Sequence, residues 1–143
     1  MAREQAQEER TEIAFLLGCT ALEYLLVGGH SDIARTLSRR LGALQSFSWN
    51  IPFQEAVRDI LQLYGARSQF AHEARPIRSE DLDRLMALCG LAYLAALQVV
   101  VHLYTVEPDK WIGNWRVKLD YVASALDAGV TVDGEAAAQA GIA

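Results

Sequence analysis

Two side chains able to hold a phosphate and move a proton, Arg67 and His72, lie close together in the stretch ILQLYGARSQFAHE between Ile60 and Glu73. Ile60, Leu63, Tyr64, Arg67 and Ala71 recur at i, i+3, i+4, i+7 and i+11, which sets Arg67 on the apolar stripe of an amphipathic helix. A guanidinium rarely occupies such a stripe without a partner. His72 follows five positions later, about 140° further round a regular helix. The two converge only if the chain ends or bends near Phe70, or if a second copy meets the first. Glu23 is a matching exception in the first apolar run, set among Leu22, Leu25 and Leu26, where a carboxylate needs a partner or a proton. Two readings stay open on these residues. In one, Glu23 and Arg67 form an interhelix ion pair and His72 helps to end a helix. In the other, a guanidinium and an imidazole, with a carboxylate behind them, handle a phosphodiester. RNA brings its own nucleophile in the 2′-hydroxyl, so its cleavage needs acid–base help and charge stabilisation but no metal.

The remaining titratable groups suggest no cofactor and no metal site. His30 and His102 form no metal-spaced pair with His72 or with a cysteine, and no paired-carboxylate signature stands out. His102 reads as a hydrogen-bonded core residue and His30 as a solvated turn residue. Gly28-Gly29 follows a helix instead of joining a strand to one, so it is not a phosphate loop. Ser68 is singled out among the serines only by following Arg67.

The elements that position these groups are all helical. The first ten residues form a polar lead-in that frays or extends the first helix. Thr11 to Val27 is helical and Gly28-Gly29-His30 ends it. Ser31 offers an N-cap for a second helix carrying Ile33, Leu37, Leu41 and Leu44 and ending near Gln45. Arg35 and Arg39 read as a solvated face of that helix, while Arg40 is a plausible partner for Glu23. After a loop with Trp49, Pro52 suits the first turn of the third helix, which leads into the Arg67 stretch. Ser79 caps a fourth helix running to about Thr105. Pro108 and Asp109 begin a fifth, with Trp111, Trp115, Leu119, Val122 and Leu126 on one face. Residues 129–143, small and without pattern, read as a mobile tail. The expected fold is therefore all-α, one domain over residues 11–128, with five helices in a bundle.

Composition sets the outer bounds. A chain of 143 residues with 52% hydrophobic residues suits one domain and one core. The net charge of −5 excludes a general electrostatic hold on nucleic acid, but the charge is uneven. Between Arg35 and Arg84 eight arginines face six acids, while the rest of the chain sums to −7, so an anionic partner should meet the middle. Cys19 and Cys89 both lie in apolar runs, which points to a reducing compartment and a cytoplasmic location. Between Arg84 and Glu107, 22 residues carry no formal charge, long enough to span a bilayer. Gln98 and His102, four apart on one face, favour the central helix of a bundle with no membrane contact.

The stretch LYGARSQFAHE, with Arg67 and His72 in an R-x4-H spacing, resembles the end of the third helix in HEPN (higher eukaryotes and prokaryotes nucleotide-binding) domains, most closely the ApeA-like branch. LGCTALEYLL resembles that branch's first helix and DIARTLSRRLGALQ its arginine-bearing second. The three segments, in order, cover roughly Ile13 to His72. The resemblance implies a metal-independent endoribonuclease acting on RNA as a homodimer, its two motifs facing each other across a shared cleft. It also implies a setting in toxin–antitoxin or antiphage defence, with an antitoxin or sensor protein as a further partner. On that basis Arg67 binds and stabilises the phosphate, His72 acts as general acid or base, and Glu23 belongs to the site. Ser68 stands where active members often carry Asn, Asp or His, and Arg75 is placed to touch the RNA backbone. The alternative is a non-catalytic HEPN module that binds RNA, a nucleotide or a protein partner, a reading that draws on Ser68 and the acidic balance. A third is a purely structural dimerisation domain.

Overall fold

The computed structural model describes residues 1–29, 32–103 and 108–141, apart from the side chains of His102 and Leu103. Among them every regular element is helical: α1 (Ala2–Leu22), continuing into a π-helical turn (Glu23–Val27), then α2 (Ile33–Trp49), α3 (Phe53–Glu73), α4 (Ser79–Leu103), α5 (Trp111–Asp127) and α6 (Gly134–Gln139). The all-α expectation is met, with one more helix than the periodicity suggests. α2 lies along α3 and also meets α4, α5 and the π turn, while α1 lies along α4. One continuous core runs through them, centred on Phe15, Leu26, Leu37, Leu41, Leu44, Leu119 and Trp115.

The first helix buries Phe15, Cys19, Leu22 and Leu26, a stripe at i, i+4, i+7 and i+11, but its last turn widens. The Gly28 N–H donates to Glu23 O at 3.1 Å, an i→i+5 bond that defines the π turn. That leaves the carbonyls of Tyr24, Leu25, Leu26 and Val27 at the helix end without intrahelical donors. Two arginines supply them. Arg116 donates from Nε to Leu25 O (3.1 Å) and from Nη2 to Tyr24 O (2.5 Å). Arg40 donates from Nη1 to Leu26 O (2.5 Å) and Val27 O (3.4 Å). The other edge of the Arg40 fork grips Asp120 on α5 through Nε and Nη2, both at 2.7 Å. Arg40 is thus a buried clamp between α1, α2 and α5, and it is not the partner of Glu23. Burial, with Arg40 adding its positive charge, lowers the pKa of Arg116 from its ordinary value.

Helix boundaries differ from expectation where tertiary contacts or caps intervene. Ser31, the expected cap of α2, and His30 lie outside the described residues. Asp32 caps the helix, accepting from Arg35 N at 3.2 Å. α2 runs past Gln45 to Trp49 and stops at Asn50, which takes the left-handed conformation (φ 53°) that asparagine tolerates. Arg35 is exposed as expected, but Arg39 is not merely solvated. It pairs with Asp127 of α5 at 3.1 Å and stacks over Phe53 of α3. α4 starts at Ser79 itself, with Arg78 O accepting from the Asp81 and Leu82 amides. Its expected end near Thr105 lies outside the described residues.

The segment expected to be a mobile tail instead holds α6. Asp133 caps it by accepting from Ala136 N at 2.8 Å, and the Trp115 indole donates to Ala140 O at 2.8 Å. Ala140 is fully buried, and Gly141 turns against α4 with φ +75°, where a Cβ would stand 2.5 Å from Ala95 O. Such a turn needs glycine. α4 is the one described helix long and apolar enough to cross a membrane. Its Leu85, Leu88, Ala92, Ala95 and Val99 face the protein core, whereas Met86, Tyr93, Leu94, Leu97 and Val101 are exposed.

Candidate functional site

α3 is one unbroken helix through both candidate side chains. It ends only after His72, at Ala74, whose left-handed backbone (φ 52°) directs its N–H to Phe70 O at 3.1 Å. No bend therefore turns the chain between Arg67 and His72. A regular helix separates them by about 7.5 Å along its axis and about 140° around it. Within a single chain the structure does not bring the guanidinium and the imidazole together.

It does bring Arg67 to Glu23. Arg67 Nη2 stands 3.3 Å from Glu23 Oε1, with 37% of the arginine side chain and 20% of the glutamate side chain exposed. Tyr64, one turn before Arg67 on the same stripe, donates its hydroxyl to the same Glu23 oxygen. The Arg67 guanidinium also lies over the Tyr64 ring, 5.4 Å from its centroid. Glu23 is the first residue of the π turn, so the arginine-capped helix end also fixes where this carboxylate sits. Cys19, one turn earlier, is buried. Burial pushes its thiol up to about 12 against the opposing pull of Arg67, which leaves it protonated and not nucleophilic at neutral pH. Burial likewise raises the Cys89 thiol.

His72 and Ser68 are exposed, and neither has a hydrogen-bond or ion-pair partner among the described residues. Arg75, beyond the helix end, is exposed and pairs with Glu73 at 2.8 Å. Among the described residues no three His, Cys, Asp or Glu side chains gather as a metal ligand set would. The arrangement thus offers one half-exposed guanidinium, held by a carboxylate and a phenol, and a separate solvent-facing imidazole on the far side of the same helix.

Periodicity did not disclose three features. Tyr64 as the second donor to Glu23 was signalled only by its place on the Arg67 stripe. Asp120, the partner of Arg40, carried no signal of its own. The third is a concavity of about 320 Å³ between α3 and the start of α4, lined by Gln62, Gln69, Arg75, Arg78, Asp81 and Arg84 among others. No family model matches the chain, and neither a characterised protein nor a solved structure matches it.

Proposed function

We propose that the chain is a HEPN-type, metal-independent endoribonuclease that acts as a homodimer in the cytoplasm. The observation that carries this reading is the meeting of Glu23 from the π turn after α1 with Arg67 of the R-x4-H motif in an all-α chain, while His72 of that motif stays exposed and uncommitted. The divergence of Arg67 and His72 on one rigid helix supports the dimeric form of this reading, since a twofold axis can set one copy's guanidinium beside the other's imidazole. Exposed Ile13 and Leu17 on α1, Tyr24 in the π turn and Leu61 on α3 offer apolar surface for such an interface.

In that cleft an imidazole takes the proton of the RNA 2′-hydroxyl, and the freed oxygen attacks the adjacent phosphorus. The O2′–P bond forms as the P–O5′ bond breaks, and the 5′-oxygen leaves with a proton. Arg67 carries the charge that grows on the phosphoryl oxygens. The products are a 2′,3′-cyclic phosphate and a 5′-hydroxyl. A phosphate reaching Arg67 competes with Glu23, so the carboxylate sets how readily the guanidinium is released. A place in toxin–antitoxin or antiphage defence, with an antitoxin or sensor as partner, fits this activity.

A second reading draws on the same ion pair: a guanidinium already answered by Glu23, followed by Ser68, suits a non-catalytic module that binds RNA, a nucleotide or a protein. Incubation of the purified chain with single-stranded RNA in EDTA separates the two. The enzyme yields cyclic phosphate ends, His72→Ala abolishes them without unfolding, and sedimentation gives a dimer. Equal behaviour of folded wild type and His72→Ala on a broad RNA panel decides for the binding module.

A further inference from the structure

The concavity beside α3 brings three arginines together in an acidic chain, and the chemistry above does not use it. Three guanidinium groups from three positions line it: Arg75 in the connection after α3, Arg78 just before α4, and Arg84 one turn and a half into α4. Asp81 is its single lining carboxylate. That carboxylate is nearly buried and held by Arg78 through Nε and Nη2, both at 3.0 Å, so its charge is answered inside the wall. The other two arginines are loosely held. Arg84 stands 3.9 Å from Asp59, the outer limit of an ion pair, and Arg75 pairs with Glu73 where both are more than half exposed. Pairs of this kind contribute about 0–1 kcal/mol and yield to a better anion.

Gln62 and Gln69 mark the extent of the α3 wall, seven residues or about 10 Å along the helix axis. That length matches about two to three phosphates of a nucleic-acid strand. Gln69 precedes His72 by three positions and stands about 60° from it round α3, but about 160° from Arg67, so the groove runs beside the imidazole's flank of the helix. No aromatic side chain lines it, which leaves the backbone, not the bases, as what it can read.

We propose that this groove is a backbone track for single-stranded RNA, in which Arg75 and Arg84 bind phosphates flanking the one presented to Arg67 and His72, while Arg78 neutralises Asp81 in the wall. It rests on the RNA reading of the site and adds the surface that holds the strand. Binding through it depends on salt and is indifferent to base sequence.

The test uses the full chain carrying His72→Ala, so that bound RNA is not cut, and a fluorescein-labelled oligouridylate in an anisotropy titration over a salt series. Adding Arg75→Glu and Arg84→Glu should weaken binding at low salt at least about tenfold and reduce the slope of log affinity against log salt by about 1.4, two phosphate contacts' worth. Arg3→Glu with Arg35→Glu, the same charge change away from the groove, should leave the slope unchanged. Arg75→Gln with Arg84→Gln checks that the effect does not come from repulsion between Asp59 and a carboxylate introduced opposite it, and circular dichroism checks the fold. If the groove variants bind with the affinity and slope of their His72→Ala background, the track is refuted while the RNA reading stands. If the His72→Ala chain binds no RNA, the RNA reading and the track fall together.

Discussion

Replacing Arg40 by methionine should destabilise the protein by about 3–5 kcal/mol, the range for removing one partner from a buried, hydrogen-bonded ion pair. The size follows from how unequally the partners are buried. The Arg40 side chain is 3% exposed, but Asp120 is 50% exposed and regains water once released, so losing that bond accounts for the smaller share. The larger share comes from the carbonyls of Leu26 and Val27, which lose a charged donor inside the protein. Each such group left unsatisfied costs about 1–3 kcal/mol. Methionine fills most of the space of the arginine stem, so packing loss adds little. Urea unfolding followed by circular dichroism measures the effect as a lower midpoint at constant slope. Arg40→Lys should recover less than half, because an ammonium cannot grip a carboxylate and a carbonyl edge at once. A loss below about 1 kcal/mol, the level of an exposed pair, would refute the clamp.

Other outcomes follow from the same contacts. Tyr64→Phe removes one of two donors to Glu23 and should lower stability by about 0.5–1.5 kcal/mol, read in the same urea titration. His72→Ala should change stability by no more than about 0.5 kcal/mol, since the side chain is exposed, so any loss of cleavage is chemical. Gly141→Ala should cost about 1–3 kcal/mol in thermal unfolding, because a side chain at φ +75° is strained and meets Ala95 O. The Cys19 thiol is raised from 9.0 to about 12, so its contribution is fully present below the unfolded value and is lost as pH rises from about 9 towards 12. Cys19→Ala should flatten that alkaline decline, and in a Cys89→Ser background, which removes the partly exposed second thiol, a thiol reagent at neutral pH should react only as fast as the chain unfolds.

Regular helices with a buried stripe were legible because their apolar residues repeat at the helical period, as Phe15, Cys19, Leu22 and Leu26 do. Glu23 and Arg67 were legible as misfits on such stripes, and they meet. What was not legible depends on contacts across the fold. GEAAAQ carries no amphipathic signal, and α6 is held by an indole hydrogen bond from α5 and by Gly141 against α4. The π turn depends on two arginines from α2 and α5, and no local pattern encodes it. Asn50 extended α2 because a left-handed cap was open to it, which composition alone does not show. Arg75, Arg78 and Arg84 follow no single period, so their convergence waits on the turn between α3 and α4.

The continuity of α3 makes residue count a setting of bearing. Each residue inserted between Arg67 and His72 swings the imidazole a further 100° or so about the rod. With four intervening residues the two groups look to opposite flanks. With six, they would lie within about 20° of one another, about 10.5 Å apart along the axis, and one protomer could present both. Under the proposed dimeric reading, a lengthened chain of that kind loses its chemical reason to pair, so the spacing of a short motif and the call for a companion subunit become one design choice.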